Sequence, residues 1–499
     1  MAGAASHLSS ADRPVVAIAG ATGFVGTALR TVLSDSYQVR ALTRSPARAE
    51  SNSGQDSPVT WQHCDLFDPY AVQQAMEGVD YMLYLVHSLH ASSRLTQATA
   101  PDLDLLLADN VARAAEVQNV KQIITLGGLV PDLDDLPERL RSRREVENAL
   151  ASGATPLTAL RAGLIVGRGG TWLSMLINLV RRVPVMILPS WTNAKTQPIV
   201  RADVIRAIEH VLGNKQHYGT TYDLGGPDVM SYREMLKRTA NVLGLSRPMG
   251  TVPVTSPRLS KMWVWLFSGA PWALVSPFVD SLRYQAVVES NALQEELRPG
   301  MQSFEQGLRT AVDEDGQPYP NPRSALRSED QAIMREQSVV RSVQRLPLPH
   351  GYTARDVANQ YMRWLPRIGG PLLRCTVAEQ RVCRIQFRPL GLTLLELSYA
   401  PDRSPSGRQL FYVTGGFLAN LPDGDHNAGR LEFRRTAGGT HILAGIHDFA
   451  PMLPWSVYNA TQAVAHLLVM NGFGRHLQHL ADRRTQAQSS APPVPSRLS

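Results

Sequence analysis

At 499 residues the chain is long enough for two or more domains, and its 43% hydrophobic and 19% charged residues are typical of globular proteins. The net charge of +7 includes no dense basic tract, which argues against a nucleic-acid-binding protein. None of the three cysteines belongs to a Cys-x-x-Cys pair, which argues against a disulfide framework and favours a reducing, cytoplasmic compartment.

The first predicted element is the strand, tight turn and helix of a dinucleotide site. An apolar run over 15–19 is followed by Gly-x-x-Gly-x-x-Gly and then by a helical pattern. Such glycines allow a sharp turn, a close approach to a pyrophosphate and helix packing on the sheet, and the helix N-terminus attracts phosphates. A structural glycine turn is the alternative. The predicted cofactor contacts here are Gly20, Thr22, Gly23, Phe24, Val25 and Gly26.

The second predicted strand, 38–42, is followed by residues that indicate which dinucleotide binds. NAD-binding folds usually place an acidic residue here to accept the ribose 2′-hydroxyl. This chain instead has Arg44 and, one helical turn later, Arg48. A planar guanidinium matches a 2′-phosphate, so the sequence favours NADP over NAD. A surface arginine in a basic protein is the alternative for Arg44.

The third and fourth predicted strands end in further candidate site residues. The third ends at Asp65 and Leu66, which place a carboxylate and a backbone edge where an adenine would lie. The fourth, 80–88, ends at His87, on the edge of the sheet where ligands lie in open α/β folds. Because imidazole titrates near neutral pH, His87 is the preferred proton donor. A structural loop histidine is the alternative.

Strands at 122–128 and 157–163 alternate with helices and complete a predicted six-stranded, doubly wound parallel sheet. Residues 14–312 resemble the extended and atypical short-chain dehydrogenase/reductases, most closely the NmrA-like members and the cofactor-binding accessory subunit of respiratory complex I. The resemblance implies a Rossmann domain with a small substrate-side subdomain, and it places Gly127 and Arg161 among the cofactor contacts. The motifs that carry it are the glycine triplet, Asp65-Leu66, the strand ending at His87, and Leu160-Arg161-Ala162-Gly163 with Gly167.

The catalytic signature of that superfamily is absent. Its working members use a Tyr, a Lys four residues later, and a Ser at the end of the fifth strand. Here the strand ends in two glycines, 127 and 128, and the helix carries Arg139 and Arg143 at the Tyr and Lys positions. Arginine cannot relay a proton, although it can bind an anion or the cofactor ribose. The candidate catalytic residues are therefore His87 and Arg143.

Two functions remain open from the sequence. The first is an NADP-binding oxidoreductase acting on a hydrophobic carbonyl or alkene. The second is a non-catalytic NADP-binding sensor or assembly protein, suggested by the missing Ser, Tyr and Lys.

An uncharged run at 262–279 allows three interpretations. Its length is marginal for a membrane span and Gly269, Pro271 and Pro277 interrupt it. Two short apolar helices lining a substrate pocket are the preferred interpretation. Peripheral membrane contact, anchored by tryptophans, is the third.

The sequence predicts a polar linker at 313–335, a second domain at 336–484, and disordered tails at 1–13 and 485–499. One strand, a short helix, antiparallel strands and a long last helix resemble a START-like or polyketide-cyclase-like helix-grip fold, an α+β architecture. The resemblance implies a cavity for an apolar small molecule or lipid, and a filled core is the alternative. No metal is predicted, because His441 and His447 lie about 20 Å apart on one strand.

Overall fold

The computed structural model describes residues 13–51, 57–86, 95–130, 136, 138–252, 257–269, 272, 275, 279, 285–321, 339–368, 370–378, 381–421, 429–436, 439 and 441–489. The chain divides into two compact units. The first comprises residues 1–87 and 110–330, and the second comprises residues 88–109 and 331–499. The sequence did not predict that 88–109 would group with the C-terminal region.

The helices and strands follow in chain order. Up to residue 162 they are β1 (Val15–Ala19), α1 (Phe24–Leu33), β2 (Gln38–Thr43), α2 (Pro46–Ser51), β3 (Val59–His63), α3 (Pro69–Ala75), β4 (Tyr81–Tyr84), β5 (Leu95–Gln97), α4 (Ala100–Val117), β6 (Gln122–Gly128), α5 (Glu138–Leu150) and β7 (Leu157–Ala162). Up to residue 309 they are β8 (Ile165–Val166), α6 (Thr171–Arg182), β9 (Met186–Pro189), β10 (Lys195–Thr196), β11 (Ile199–Val200), α7 (Arg201–Val211), β12 (Thr221–Leu224), β13 (Met230–Ser231), α8 (Tyr232–Val242), β14 (Met249–Val252), α9 (Pro257–Ser268), α10 (Ala292–Leu297) and α11 (Phe304–Arg309). The remaining elements are β15 (Val340–Pro347), α12 (Ala354–Ile368), β16 (Leu373–Val377), β17 (Cys383–Phe387), β18 (Leu392–Tyr399), β19 (Arg408–Gly415), β20 (Arg430–Arg435), β21 (His441–Phe449), α13 (Trp455–Ala460) and α14 (Gln462–Ser489).

The first unit is built on a seven-stranded sheet in the order β12-β7-β6-β4-β1-β2-β3. Every pairing in it is parallel. The apolar run that predicted β1 lies at the centre of this sheet, and Val16, Ala17 and Ile18 are fully buried. The predicted doubly wound Rossmann-type sheet is confirmed, with β12 as a seventh strand that the sequence did not predict.

The strand order fixes where a ligand can bind. The chain leaves β1 in one direction toward β2 and in the other toward β4, so the switch point lies between the carboxyl ends of β1 and β4. Ligands of open parallel sheets bind in the crevice at this point. The glycine turn after β1 is therefore placed at the expected binding edge.

A second apolar core in the first unit lies among α6, α8, α9 and α11. Leu173, Ile177 and Val180 are buried at helical spacing on α6, and Met235 is buried on α8. This core forms the subdomain that follows the parallel sheet.

Residues 313–321, which the sequence placed in the linker, are bonded to the first unit. Asp313 Oδ1 accepts hydrogen bonds from the N–H groups of Asp315 and Gln317. The side chain of Asn321 donates to the hydroxyl of Thr171 at 2.7 Å. Residues 322–338 lie outside the described part of the chain.

The second unit contains an eight-stranded sheet in the order β16-β17-β18-β19-β20-β21-β15-β5. Its pairings are antiparallel except for β15 with β5, which is parallel. Strand β16 was not predicted, and β5 was not expected to join this sheet. The other six antiparallel strands agree to within one or two residues with the strands predicted from sequence at 339–346, 382–387, 392–398, 409–414, 429–434 and 441–449.

One face of the second sheet packs against α12 and α14. The ring centroids of Tyr361 and Phe473 are 5.0 Å apart, and those of Tyr361 and Phe433 are 5.2 Å apart. The predicted last helix is divided at Thr461 into α13 and α14. Helix α14 continues to Ser489, so the backbone of 485–489, predicted to be disordered, is helical.

Within the described residues, no helix combines the length and the apolar character needed to cross a bilayer.

Candidate cofactor and active site

The glycine turn after β1 is shaped by backbone contacts that only glycine permits. Gly20 has φ +89°, and a Cβ there would lie 2.8 Å from the carbonyl oxygen of Leu85, which follows β4. A Cβ on Gly26 would overlap the carbonyl of Gly20. The Gly23 N–H donates to that same carbonyl at 2.9 Å and closes the turn. Gly20 and Gly26 therefore have the turning and packing roles that the sequence predicted, and the close approach of Gly23 to a pyrophosphate remains a prediction.

Helix α1 begins at Phe24 with no side-chain cap on its first N–H groups. Uncapped N–H groups and the positive end of the helix dipole attract phosphate. The Phe24 ring lies under the Arg201 guanidinium, whose carbon is 5.0 Å from the ring centroid. Arg201 Nη1 also donates to the carbonyls of Phe24 and Arg168, at 3.3 and 3.0 Å. The ring of Phe24 is thus held by protein, which leaves its backbone N–H as the group that could face a phosphate.

Arg168 adds a second positive charge beside Arg201. Its guanidinium carbon lies 3.8 Å from the centroid of Tyr319. Burial, together with the charge of Arg168, lowers the pKa of Arg201. Two adjacent cations at the helix start make this end of the turn favourable for an anion.

At the other end of the turn, two arginines gather around Trp61 on β3. The guanidinium carbons of Arg30 and Arg48 lie 4.6 and 5.8 Å from the Trp61 centroid. Arg30 Nε donates to the carbonyl of Ala21 at 2.9 Å, and Arg48 Nη1 lies 3.4 Å from Thr43 Oγ1. Burial, together with the charge of Arg48, lowers the pKa of Arg30. Adjacent guanidinium groups beside an aromatic face suit a phosphate next to an adenine.

The turn between β2 and α2 carries the predicted Arg44 and Arg48. The Ser45 hydroxyl accepts from the N–H of Arg48 and Pro46 is the first helical residue, so α2 begins with a favourable cap. Arg44 is half-buried. Sequence reasoning found Arg44 and Arg48 but missed Arg30, because nothing in a helix pattern marks a side chain that reaches back to the preceding turn.

The Asp65-Leu66 pair forms a short local turn. Asp65 Oδ1 accepts from the N–H of Phe67 at 3.1 Å. The Leu66 carbonyl accepts from the amide of Asn110 at 2.8 Å, and the Leu66 side chain is buried. These bonds hold the backbone after β3 in place, and the adenine contact remains a prediction.

The end of β6 is the position of a serine in the short-chain dehydrogenase/reductases that the sequence resembles, and here the side chains of Arg143 and Glu147 fill the space. A Cβ on Gly128 would lie 2.5 Å from Nη1 of Arg143, and a Cβ on Gly127 would lie 2.9 Å from Oε1 of Glu147. Both Arg143 and Glu147 are on α5, one turn apart. The two glycines therefore make room for the side chains of α5.

Glu147 forms a two-pronged ion pair with Arg161 on β7. Glu147 Oε2 accepts from Nη2 of Arg161 at 2.7 Å and from Nε at 3.0 Å. This pairing, more than the opposing effect of burial, raises the pKa of Arg161. Asp223 on the neighbouring strand β12 is 4.0 Å away, and burial raises its pKa. Sequence reasoning named Arg161 as a cofactor contact but did not identify Glu147 or Asp223 as its partners.

The remaining predicted positions are only partly described. His87 lies outside the described residues, and for Arg139 the structure describes the helical backbone alone. Tyr84, three residues before His87, is buried in the sheet. Among the described residues no group of three His, Cys, Asp or Glu side chains could hold a metal ion.

Comparison with known proteins shows a similarity to nucleotide-binding proteins. Residues 20–163 match a family described as NAD(P)H-binding. The auxiliary protein GraX of Staphylococcus aureus is 33% identical over 116 residues, which cover 23% of this chain and 37% of that protein. A (4-alkanoyl-5-oxo-2,5-dihydrofuran-3-yl)methyl phosphate reductase of Streptomyces griseus is 25% identical over 238 residues, covering 47% of this chain and 75% of the relative. Sanguinarine reductase of Eschscholzia californica is 24% identical over 257 residues, covering 43% of this chain and 90% of the relative.

The matches therefore span about a third to nine tenths of these relatives, and less than half of this chain. The family match, residues 20–163, includes the glycine turn and the residues Arg30, Arg48 and Trp61. Over this range the first unit is similar to NAD(P)H-binding proteins, and its parallel sheet is of the Rossmann type.

Proposed function

We propose that the protein is an NADPH-dependent reductase of a hydrophobic carbonyl or activated alkene. The observation that carries the proposal is the pair of guanidinium groups, Arg30 and Arg48, beside Trp61 at the far end of the glycine turn. NAD has no 2′-phosphate to neutralise these cations, whereas NADP places its 2′-phosphate at this end of the fold. Two of the relatives carry the word reductase in their names.

The residues present fit the cofactor along its length. The Trp61 face and the two arginines would hold the adenosine and its 2′-phosphate, and the uncapped start of α1 would hold the pyrophosphate. When bound, the cofactor supplies a hydride to the substrate carbon. The edge of the sheet at β4 and β6 then determines where that carbon lies.

Arg143 is the residue proposed to contact the reacting oxygen of the substrate. Its guanidinium lies at the end of β6, where the superfamily serine would stand. A fixed cation there stabilises the negative charge that develops on a carbonyl or enolate oxygen after hydride arrival. Because arginine stays protonated, the proton that completes the reduction comes from His87 or from solvent.

The test is isotope transfer from the cofactor. Full-length protein is incubated with NADPH deuterated at the transferred position and a panel of enones and aldehydes, whose reduction forms a non-exchangeable C–D bond. We expect one deuterium in the reduced product and a loss of about 100-fold in kcat for Arg143→Gln. Tight NADPH binding without transfer to any substrate would overturn the enzymatic proposal.

That outcome would favour the second candidate, an NADP-binding sensor or assembly protein. The observation behind it is that Arg143 and Glu147 fill the space of the missing serine and that no described residue replaces the Tyr–Lys pair. A sensor would bind NADPH and NADP⁺ with different affinities and would change hydrogen exchange in the residues around the glycine turn.

For the second unit we propose a helix-grip fold that takes an apolar small molecule or lipid. The order of elements supports the fold, because an antiparallel sheet covers a long C-terminal helix on one face. Tyr361, Phe433 and Phe473 pack closely between α12, α14 and the sheet, so any ligand space lies away from these rings. Native mass spectrometry of the purified chain would detect a retained lipid, and a ligand-free mass under gentle conditions would contradict the proposal.

A further inference from the structure

Helix α9 carries a row of apolar side chains on the surface of the first unit. Met262, Trp265 and Leu266 are 51%, 45% and 62% exposed. Their spacing of three and four residues puts them on one helix face. Trp272, beyond the helix, is 47% exposed, and its ring centroid lies 6.3 Å from that of Trp265. We call these four residues the α9 surface.

The opposite face of α9 fixes the helix to the subdomain core. Val264 and Ser268 are buried. The carbonyls at the end of the helix accept hydrogen bonds from α6: Ser268 from the amide of Asn178 at 3.1 Å, and Phe267 from Arg182 at 3.3 Å. The helix is therefore held with its apolar face outward, and this exposure does not depend on a rearrangement of the subdomain.

The charged residues in this helix and in the segment before it are basic. Residues 235–279 contain five Lys or Arg and no Asp or Glu. One of the five, Arg238, is paired with Asp228, Glu234 and Glu305 outside that segment. Arg258 and Lys261 precede the apolar row on α9 itself, and Arg258 is exposed. Basic residues at this end of α9 complement an anionic partner.

We propose that the α9 surface binds the headgroup region of an anionic lipid bilayer, with the helix lying in the plane of the interface. Tryptophan rings partition to this region, and leucine and methionine enter the acyl boundary below it. Lysine and arginine beside the apolar row are attracted by anionic lipids. Attachment of the α9 surface to a bilayer does not require the protein to be a reductase.

The experiment is flotation of the full-length protein with lipid vesicles. The probes are vesicles of phosphatidylcholine alone and of phosphatidylcholine with 30 mol% (about one lipid in three) phosphatidylglycerol, at low and high salt. We expect flotation with the anionic vesicles that falls at least threefold in high salt, and a blue shift of tryptophan fluorescence on binding. Brominated acyl chains should quench that fluorescence, because Trp265 and Trp272 enter the interface.

Two variants and their matched controls assign the binding to α9. Met262→Ser/Leu266→Ser should reduce flotation at least tenfold, whereas Val117→Ser, at a 58% exposed position elsewhere, should not. Arg258→Glu should weaken binding to anionic vesicles only, whereas Arg309→Glu, on the exposed side of α11, should leave it unchanged. An unchanged thermal unfolding curve verifies that each variant is folded.

Several results would overturn the proposal. Failure to float with either vesicle would do so, as would flotation that the Met262→Ser/Leu266→Ser variant retains. Equal binding to neutral vesicles would contradict the role of the cations. If light scattering shows a dimer that Met262→Ser/Leu266→Ser converts to a monomer, the α9 surface is an interface between two copies and not a lipid-binding face.

Discussion

Arg143 and Gly128 are complementary in shape: the guanidinium occupies the place where any larger residue at 128 would put its Cβ. The separation from that Cβ to Nη1 would be 2.5 Å, shorter than ordinary packing allows. Because the clashing atom is the far end of a flexible side chain, a substitution at 128 would move Arg143 without disrupting the sheet. The glycine therefore sets the position of the cation at the end of β6.

We expect Gly128→Ala to lower the turnover of a reducible substrate at least tenfold while changing the free energy of unfolding by no more than about 1 kcal/mol. The physical reason is displacement of the Arg143 guanidinium. Steady-state kinetics and urea unfolding of the same preparations measure the two effects.

Gly250→Ala is the matched control, since a Cβ at residue 250 meets no atom within 4 Å. The double variant Gly128→Ala/Arg143→Gln should be no slower than Arg143→Gln alone, because both changes remove the same cation from the same place. Additive losses would show that Gly128 acts on the reaction by another route.

Cofactor preference should depend on the cations around Trp61. Arg30→Gln and Arg48→Gln should each raise the Kd for NADPH about 10- to 100-fold, the loss expected for one hydrogen bond to a charged group, and should change the Kd for NADH less than threefold. Fluorescence titration of the nicotinamide ring provides both values.

Arg309→Gln, at an exposed position on α11, is the control and should alter neither Kd. If Arg30→Gln weakens the binding of NADPH and NADH equally, Arg30 acts by holding the Ala21 carbonyl and does not contact the 2′-phosphate.

The parts of this site that could be predicted from sequence are those encoded within a few consecutive residues. The glycine triplet and the β-branched run before it specify a turn by local sterics, so their positions were correct. Arg30, Glu147 and Trp61 reach the site through strand pairing and helix packing, and no local pattern distinguishes them from ordinary surface or core residues. The absence of a serine at 127–128 was visible, but the α5 side chains that fill its place were not.

The same distinction applies to the second unit. Alternating residues predicted most of its antiparallel strands, because one face of each strand packs on the helices. β5 pairs with β15 across a sequence separation of 245 residues, as between Gln97 and Ser342. Because β5 is only three residues long, its sequence shows no alternating pattern that would predict a strand. Contacts of that sequence separation are set by the tertiary fold and could not be inferred from the chain alone.

The Glu147–Arg161 pair should contribute to stability as well as to the shape of the site. Glu147 is almost fully buried, and its loss would leave Arg161 with Asp223 at 4.0 Å as its remaining anion. Glu147→Gln should lower the free energy of unfolding by about 1.5–3 kcal/mol, the range for hydrogen bonds to a charged group. Urea unfolding of the full chain measures it.

Arg161→Gln and the double variant complete a thermodynamic cycle. A coupling energy of at least about 1 kcal/mol is expected between two residues in direct contact. Glu116→Gln, on the exposed side of α4, is the control for loss of a carboxylate. A coupling near zero would mean that the pair is screened by solvent and is not structurally important.

The second unit should lose stability as the pH falls from 6.5 toward 4. His466 Nε2 lies 3.1 Å from the hydroxyl of Ser342, and burial lowers the pKa of His466 to about 4 from an ordinary value of 6.5. Between these two values the unfolded chain binds more protons than the folded one, so stability rises with pH in this window and is constant above it. Hydrogen exchange of β15 and α14 amides in the full chain, from pH 7.5 to 5, reports the effect.

His466→Gln should reduce the slope of stability against pH in that window. Some slope should remain, because burial also lowers the pKa of His447. His350→Gln removes an exposed histidine and should leave the slope unchanged. If His466→Gln has the original slope, folding does not lower the pKa of His466.

Asp109 should be required for the stability of the second unit. It accepts a hydrogen bond from Nη1 of Arg434 at 2.7 Å, and the side chains of Asp109 and Arg434 are only 7% and 1% exposed. Arg434 also pairs with Glu432, so Asp109→Asn would leave the buried Arg434 and Arg408 sharing one carboxylate and should cost about 3–5 kcal/mol, measured as lost hydrogen-exchange protection in β20. Asp402→Asn, at an exposed position, should cost nothing measurable.

A second substitution distinguishes loss of the ion pair from general damage to the fold. Replacing both members with apolar residues, Asp109→Leu/Arg434→Met, should recover most of the lost stability, because it removes the excess buried positive charge that the single change leaves beside Glu432. Glu432 would keep Arg408 as a partner, with Nε 3.2 Å from Oε1.

A fragment of residues 336–484, expressed without 95–109, tests the same carboxylates. It lacks Asp109 and also Asp102, which pairs with Arg345 at 2.7 Å. Hydrogen exchange in β20 should therefore be less protected in the fragment than in the full chain. Equal protection of β20 in that fragment would show that the second unit does not depend on these carboxylates.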